Sequence, residues 1–279
     1  MQVTVAKKYQ LQNTIGQGGF GDVYKSLDLI SKKVRAIKLE RRSNGTDMLF
    51  YEGRILSYLK DVVGVPRVYD AGFDGDFNYL VMDYSGIALS TYLDLCGGRF
   101  SLKTTCLFGI QALGLLETVH NKYILHRDIK PENFLFNQSE QRFYLIDFGL
   151  SKRYVDRSGA HIPRQENKSF RGTLRYCSLN MHLGIENTRR DDLESLCYVL
   201  LFFLKGKLPW QNIKAEVEAK FDMVKKLKLG MKIADLCADV DEGFKDILTY
   251  VRNLGFAEYP DYEKIRGILK GIMKRNAVR

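Results

Sequence analysis

Between residues 9 and 40 apolar and polar positions alternate, as in Tyr9-Gln10-Leu11 and Val34-Arg35-Ala36-Ile37-Lys38, and glycines punctuate the run. A period of two places successive side chains on opposite faces, so this stretch predicts antiparallel strands. From Asp47 to Leu59 the pattern changes. Leu49, Ile55, Leu56 and Leu59 fall near helical spacing, then Gly64 and Pro66 break the run before further short strands to Met82. Beyond Ser85-Gly86 the period is helical over 101–122, 189–205 and 261–275, and Gly206 and Pro209 close the second of these. The expected fold is α+β. One domain spans 1–279, with a strand-rich lobe to about residue 84 and a larger, mainly helical lobe from about residue 85. No internal repeat or low-complexity tail is visible.

Composition narrows the possible partners. A chain of 279 residues with 45% apolar residues can bury an ordinary core. Its net charge of +10 attracts something anionic, whether nucleic acid, a membrane surface or acidic protein. Half of that excess lies in residues 152–175, where Lys152, Arg153, Arg157, Arg164, Lys168, Arg171 and Arg175 face only Asp156 and Glu166, 7 − 2 = +5. No RNA- or DNA-binding module is recognisable, so a specific nucleic-acid partner is not expected. The five cysteines form no CxxC pair, which suggests buried thiols in a reducing compartment. Met1 to Lys8 lacks an apolar signal core, and the longest apolar run, Tyr198 to Leu204, is too short to cross a bilayer. No membrane insertion is expected, and the chain reads as a soluble monomer.

Candidate chemistry begins at Gly16-Gln17-Gly18-Gly19-Phe20-Gly21-Asp22-Val23, which fits G-x-G-x-x-G-x-V. Missing side chains there let backbone approach phosphate oxygens. A Rossmann fingerprint needs a helix directly after the glycines, whereas Asp22 to Lys25 continues as strand. Lys38 follows 38 − 21 = 17 residues after the last glycine, on a predicted strand. An ammonium fixed there can hold phosphates if a carboxylate aims it. Glu52, in the middle of the next helix, is the natural candidate, and its rival Asp47 reads as a helix start. An isolated pair of this kind could equally be a solvated surface ion pair.

The segment His126-Arg127-Asp128-Ile129-Lys130-Pro131-Glu132-Asn133 is followed 147 − 133 = 14 residues later by Asp147-Phe148-Gly149. In that order with Lys38 and Glu52, these residues resemble the protein-kinase signature set, and Lys130 after the Asp resembles its serine/threonine branch. The resemblance implies that Asp128 accepts or orients the substrate hydroxyl proton and that Lys130 neutralises charge on the transferring group. Asn133 and Asp147 bind Mg²⁺, with Mn²⁺ also suited to these hard oxygen ligands. His126 is expected to pack beneath the loop, not to act as a base. The alternative is an ATP-binding scaffold of kinase fold with little or no activity.

In place of the usual Ala-Pro-Glu stands Gly172-Thr173-Leu174-Arg175-Tyr176-Cys177-Ser178-Leu179-Asn180-Met181-His182-Leu183-Gly184-Ile185-Glu186. This is similar to the casein kinase I family, as are Lys38-Leu39-Glu40, Asn133-Phe134-Leu135, His161-Ile162-Pro163, Arg189 to Leu196, Leu208-Pro209-Trp210-Gln211 and Pro260-Asp261-Tyr262. The likeness covers essentially the whole chain. It implies a bilobal kinase fold and ATP contacts from Ile15, Gly16, Gln17, Gly18, Gly19, Phe20, Gly21, Asp22, Val23, Ala36, Lys38, Met82 as gatekeeper, and the hinge residues Asp83 and Ser85. Asp192 would brace the catalytic loop.

Acidic or phosphorylated protein substrates are implied too, with Arg127, Lys152 and Lys168 in one anion pocket and Arg175 in a second. Internal anchoring of the activation segment is the competing role for Arg127 and Lys152. Where relatives are rich in Lys and Arg, this chain has Glu216-Val217-Glu218-Ala219-Lys220. The second anion site is therefore expected to be weaker, and nuclear import through this stretch is doubtful, so a cytoplasmic location is expected, with the nucleus left open. Arg35 replaces a common Val and Cys197 a Gly. The long regulatory tail of many relatives has no counterpart after Arg275, so autoinhibition by tail phosphorylation is not expected.

Overall fold

Six strands, β1 (Thr4–Val5), β2 (Tyr9–Gly18), β3 (Gly21–Asp28), β4 (Val34–Arg41), β5 (Val68–Asp74) and β6 (Phe77–Asp83), pair antiparallel in the order β1-β2-β3-β4-β6-β5. They are seen in a computed structural model that describes residues 3–18, 21–42 and 48–276. Alternation along β4 sorts its side chains as the pleat requires. Ile37 and Leu39 pack with Tyr9, Tyr79 and Val81. Lys38 and Glu40 project to the other face, toward helix α1 (Met48–Tyr58), where Glu52 meets Lys38 and the Leu49 N–H donates to Glu40. Gly53 permits the close approach of α1 to the sheet, since a Cβ there would lie 3.1 Å from Leu80 Cδ1. Asp47, expected to start this helix, lies outside the described residues.

The chain divides into two compact units, Met1–Ile87 with Leu135–Gly149, and Ala88–Phe134 with Leu150–Arg279. The boundary near residue 84 expected from sequence therefore assigns one segment differently. β9 (Phe134–Asn137) and β10 (Arg142–Leu145) form a three-stranded sheet with β7 (Ile87–Ala88), in the order β10-β9-β7. The Leu145 N–H donates to Gly64 O at 2.8 Å, which ties this hairpin to the strand-rich unit.

The second unit carries α2 (Leu89–Leu95), α3 (Leu102–Asn121), α4 (Leu179–His182), α5 (Arg189–Lys205), α6 (Val217–Gly230), α7 (Ile233–Leu236), α8 (Glu242–Asn253) and α9 (Tyr262–Arg275). A short antiparallel pair, β8 (Ile124–Leu125) with β11 (Lys152–Arg153), brackets the segment between them. The three helices expected from periodicity are α3, α5 and α9. Fourteen of the 17 residues of α5 are buried, so it is the spine of this unit. Gly206 ends it in a left-handed conformation, φ 73°, which glycine adopts without a Cβ penalty. Around it the rings of Phe100, Phe108, Phe134 and Phe203 meet edge to face, with centroids 4.7–5.2 Å apart.

Candidate active site

In the strand-rich unit, burial and pairing single out Lys38. Its Nζ donates to Glu52 Oε2 at 2.7 Å and to Asp147 Oδ1 at 3.1 Å. Burial works to lower the Lys38 ammonium, but the charges of Glu52 and Asp147 outweigh it and raise the pKa above its ordinary value. Glu52 is thus a carboxylate placed on Lys38. Asp147 has φ 64°, a left-handed backbone uncommon for a residue with a side chain and one that gathers at functional sites.

The glycine-rich segment is a strand-turn-strand. Gly16 pairs with Val23, Gln17 with Asp22 and Gly18 with Gly21, and β3 continues past the turn. Gly19 and Phe20 lie outside the described residues. Gly21 is obligatory for the fold, because at φ 120° its Cβ would stand 2.1 Å from Leu39 O. Gly16 has no such constraint, since a Cβ there meets only Val23 at 3.7 Å or more. Ile15 and Gln17 are exposed, and Ala36 and Met82 are buried partners across β4 and β6. Ser85 is buried, and its hydroxyl donates to Asp83 O at 3.4 Å.

Arg35, which stands where a Val is common, grips the Asp83 carboxylate at 3.3 Å and lies 3.4 Å above the Tyr69 ring. Tyr69 donates its hydroxyl to the same carboxylate at 2.7 Å, so Asp83 is held from two strands.

In the helical unit Asp128 is the centre. Lys130 Nζ donates to Asp128 Oδ2 at 2.6 Å, and the Thr173 hydroxyl donates to Asp128 Oδ1 at 2.7 Å. Lys130 also reaches Thr173 Oγ1 at 3.3 Å, which closes a triangle. Asn133 Nδ2 donates to Asp128 O at 2.9 Å. Beneath this loop Asp192, on α5, accepts the N–H of His126 and the N–H of Arg127, both at 2.8 Å, and a hydrogen bond from His120 Nε2 at 3.0 Å. Arg127 is left-handed, φ 70°, and His126 is fully buried with its Nδ1 accepting the Asp128 N–H at 3.3 Å. Thr173 was not a sequence candidate.

A protein kinase domain family model matches residues 9–266. The chain belongs to the protein kinase family. Protein kinases use ATP and Mg²⁺, and the donors present fit that ion. Mg²⁺ is held by one or two side-chain oxygens together with phosphates and water, so a cage of His, Cys and carboxylates is not needed, and the described residues of the kinase contain none. The Asn133 amide, with Nδ2 committed to Asp128 O, leaves Oδ1 without a donor among the described residues. Within the strand-rich unit, Asp147 carries a hard carboxylate that suits the same ion.

Two of the residues expected in an anion pocket share one carboxylate. Lys152 and Lys168 both pair with Glu186 Oε2, at 2.9 and 3.4 Å, and remain 35% and 41% exposed. Burial would raise the Glu186 carboxyl, but the hydrogen bonds and charges of these two lysines hold it below its ordinary value. The Arg127 Nε–H donates instead to Leu150 O at 2.6 Å, the anchoring role weighed from sequence. Arg175 stacks over Tyr176 and Phe202 at 5.7 and 5.5 Å. All five cysteines are free, and Cys96 is exposed. Among the described residues no helix is long and apolar enough to cross a membrane.

Gly172 lies beside this loop at φ 103°, where a Cβ would fall 2.7 Å from Arg127 O. Gly172→Ala is therefore expected to displace either Thr173 or the catalytic loop and to slow phosphate transfer roughly 10- to 100-fold. Steady-state phosphorylation with a folded variant, checked by circular dichroism, measures this directly.

Proposed function

We propose that the kinase transfers the ATP γ-phosphate to serine or threonine hydroxyls of acidic or already phosphorylated proteins, as a non-specific serine/threonine kinase of casein kinase I type. The observation that carries this reading is the triangle of Asp128, Lys130 and Thr173. Two donors hold the two Asp128 oxygens, so the carboxylate is fixed to orient a substrate hydroxyl and take its proton. Lys130, already beside it, supplies positive charge where negative charge grows on the transferring group. Lys38, aimed by Glu52, is assigned to the phosphates. Ile15 to Val23, Ala36, Met82, Asp83 and Ser85 are assigned to the nucleotide. Magnesium, when bound at Asn133 and Asp147, offsets phosphate charge.

The part-exposed Lys152 and the exposed Lys168 outnumber their one shared carboxylate, which supports recognition of acidic groups on the substrate. Four of the five thiols are buried and none is paired, in keeping with the cytoplasmic location we assign.

The test uses labelled ATP, Mg²⁺ and casein with the wild type and Asp128→Asn. The variant is expected to be about 10²-fold slower or worse, and label is expected on serine and threonine. Equal transfer by both proteins would overturn the assignment, and label on tyrosine would overturn the residue specificity. Peptides differing only in a phosphorylated, acidic or neutral residue before the target serine then test the substrate class. Equal rates on all three would remove it.

A further inference from the structure

The anchor of α6 is unusual. Of its 14 residues only Val224 and Lys228 are buried, one helical turn apart on the same face. Lys228 is 0% exposed. An apolar side chain could fill that position without desolvating a charge, whereas a buried ammonium needs compensation. No carboxylate of a described residue forms an ion pair with it. Its compensation comes from the activation segment, from rings and from the charge of nearby Glu194. Nζ donates to Cys177 O at 2.7 Å and to Leu174 O at 3.0 Å, and it lies 5.0 and 4.9 Å from the ring centres of Tyr198 and Trp210.

The captured carbonyls belong to one closed turn. Thr173 O accepts the N–H of Tyr176 at 3.0 Å and of Cys177 at 3.1 Å. Trp210 Nε1–H donates to Arg175 O at 2.8 Å, so the same aromatic side chain that flanks Lys228 grips the turn's middle. At the other end of this turn is the Thr173 hydroxyl on Asp128. The Lys228 ammonium satisfies both carbonyls from the helix side. A neutral side chain of equal volume would leave both acceptors unpaired in a buried place.

We propose that Lys228 is a positioning residue for phosphate transfer, whose ammonium holds the carbonyls of Leu174 and Cys177 and so keeps the Thr173 hydroxyl on Asp128. This rests on Asp128 as the catalytic carboxylate. Lys228 acts through the turn and touches no reacting atom, so its loss is expected to change kcat and not the KM for ATP.

Lys228→Met keeps most of the side-chain volume and removes the charge and its donors. Its kcat on casein is expected to fall by about tenfold or more, with the KM for ATP changed by less than about twofold. In a Thr173→Ala background the same substitution is expected to cost less than about twofold, because the group it positions is gone. A folded Lys228→Met protein with wild-type kcat overturns the proposal, and so do losses that multiply across the two sites. If Lys228→Met does not fold, the coupling is read from the opposite direction. Reductive methylation of Lys228, followed by mass spectrometry, is expected to be about threefold faster in folded Thr173→Ala than in wild type, and equal rates overturn the proposal. Only transfer that Asp128→Asn abolishes is scored. Transfer surviving that variant counts against the Asp128 assignment, and Lys228 is then judged on methylation alone.

Discussion

Asp192→Ala is expected to cost the kinase about 3–5 kcal/mol of stability and to slow phosphate transfer about 10³-fold in whatever protein remains folded. Asp192 is buried on α5 and collects the N–H groups of His126 and Arg127 and the ring N–H of His120. Removing the carboxylate leaves these donors unpaired where water cannot replace it. It also frees Arg127 from a left-handed φ of 70°, a conformation that costs about 1–2 kcal/mol and persists only while its surroundings enforce it. The two N–H groups immediately precede Asp128, so the loop that relaxes is the one that carries the catalytic carboxylate. Urea midpoints at neutral pH and casein phosphorylation check the two parts separately. A variant that loses stability but keeps kcat would show that the brace serves folding alone.

The pH dependence of stability separates Asp192 from its neighbour. Burial alone would raise Asp192, but the hydrogen bonds from His120 and the His126 N–H, together with the positive potential of both histidines, bring it below its ordinary 3.8. Its folded pKa is depressed, so its stabilisation is present above 3.8 and is lost as pH falls through the lower folded value. Asp191 behaves oppositely. Burial outweighs its hydrogen bonds from Ser178 and the Thr188 N–H and pushes it up to about 6. Its contribution is full below 3.8 and is lost as pH rises through about 6.

Much of this arrangement could be read from residue order, for a physical reason. Strand and helix periods are local, so β2 to β4, α3, α5 and α9 were legible wherever one face is buried and the other wet. Asp128, Lys130 and Asn133 sit close together in sequence, which makes them visible as a group. The rest depends on contacts that sequence distance hides. Thr173 reaches Asp128 across 45 residues, and no chemistry distinguishes that threonine from others beforehand. Glu186, the carboxylate shared by Lys152 and Lys168, looked like part of a family match and nothing more. Arg35 is visible only once β6 brings Asp83 opposite it in register. The hairpin at 134–145 lies in the span expected to be the helical lobe, whereas its contacts return it to the strand-rich unit. Helix α8 did carry a signal, with Phe244, Ile247, Leu248 and Val251 at helical spacing and all buried. Helix α6 had none, because a lysine takes one of its two buried positions.

Lys38→Met is the companion prediction in the strand-rich unit, with a loss of about 10³-fold in phosphate transfer and a stability defect that depends on pH. In the wild type the Lys38 ammonium lies between Glu52 and Asp147, at 2.7 and 3.1 Å. Methionine fills the space and leaves Glu52 buried without its counter-ion, a defect of about 3–5 kcal/mol if the carboxylate stays charged. Glu52 can escape by taking a proton. Burial already raises the Glu52 carboxyl above the unfolded 4.5 against the pull of Lys38, and loss of the ammonium raises it further, so the variant's stability is best below 4.5 and is lost as pH rises through the raised value. The melting temperature of Lys38→Met is accordingly expected to fall relative to wild type as pH rises above 4.5. Adding Glu52→Gln removes the charge and should restore most of that stability while leaving transfer abolished, since the ammonium that holds phosphates is still missing. Stability and activity thus separate in the double variant. Glu52→Gln alone should retain Lys38 but misdirect it, and lose activity with little pH-dependent instability. A double variant as unstable as Lys38→Met at pH 8 would show that the unpaired Glu52 charge is not the cause. A fully active Glu52→Gln would show that Lys38 is aimed by Asp147 without it.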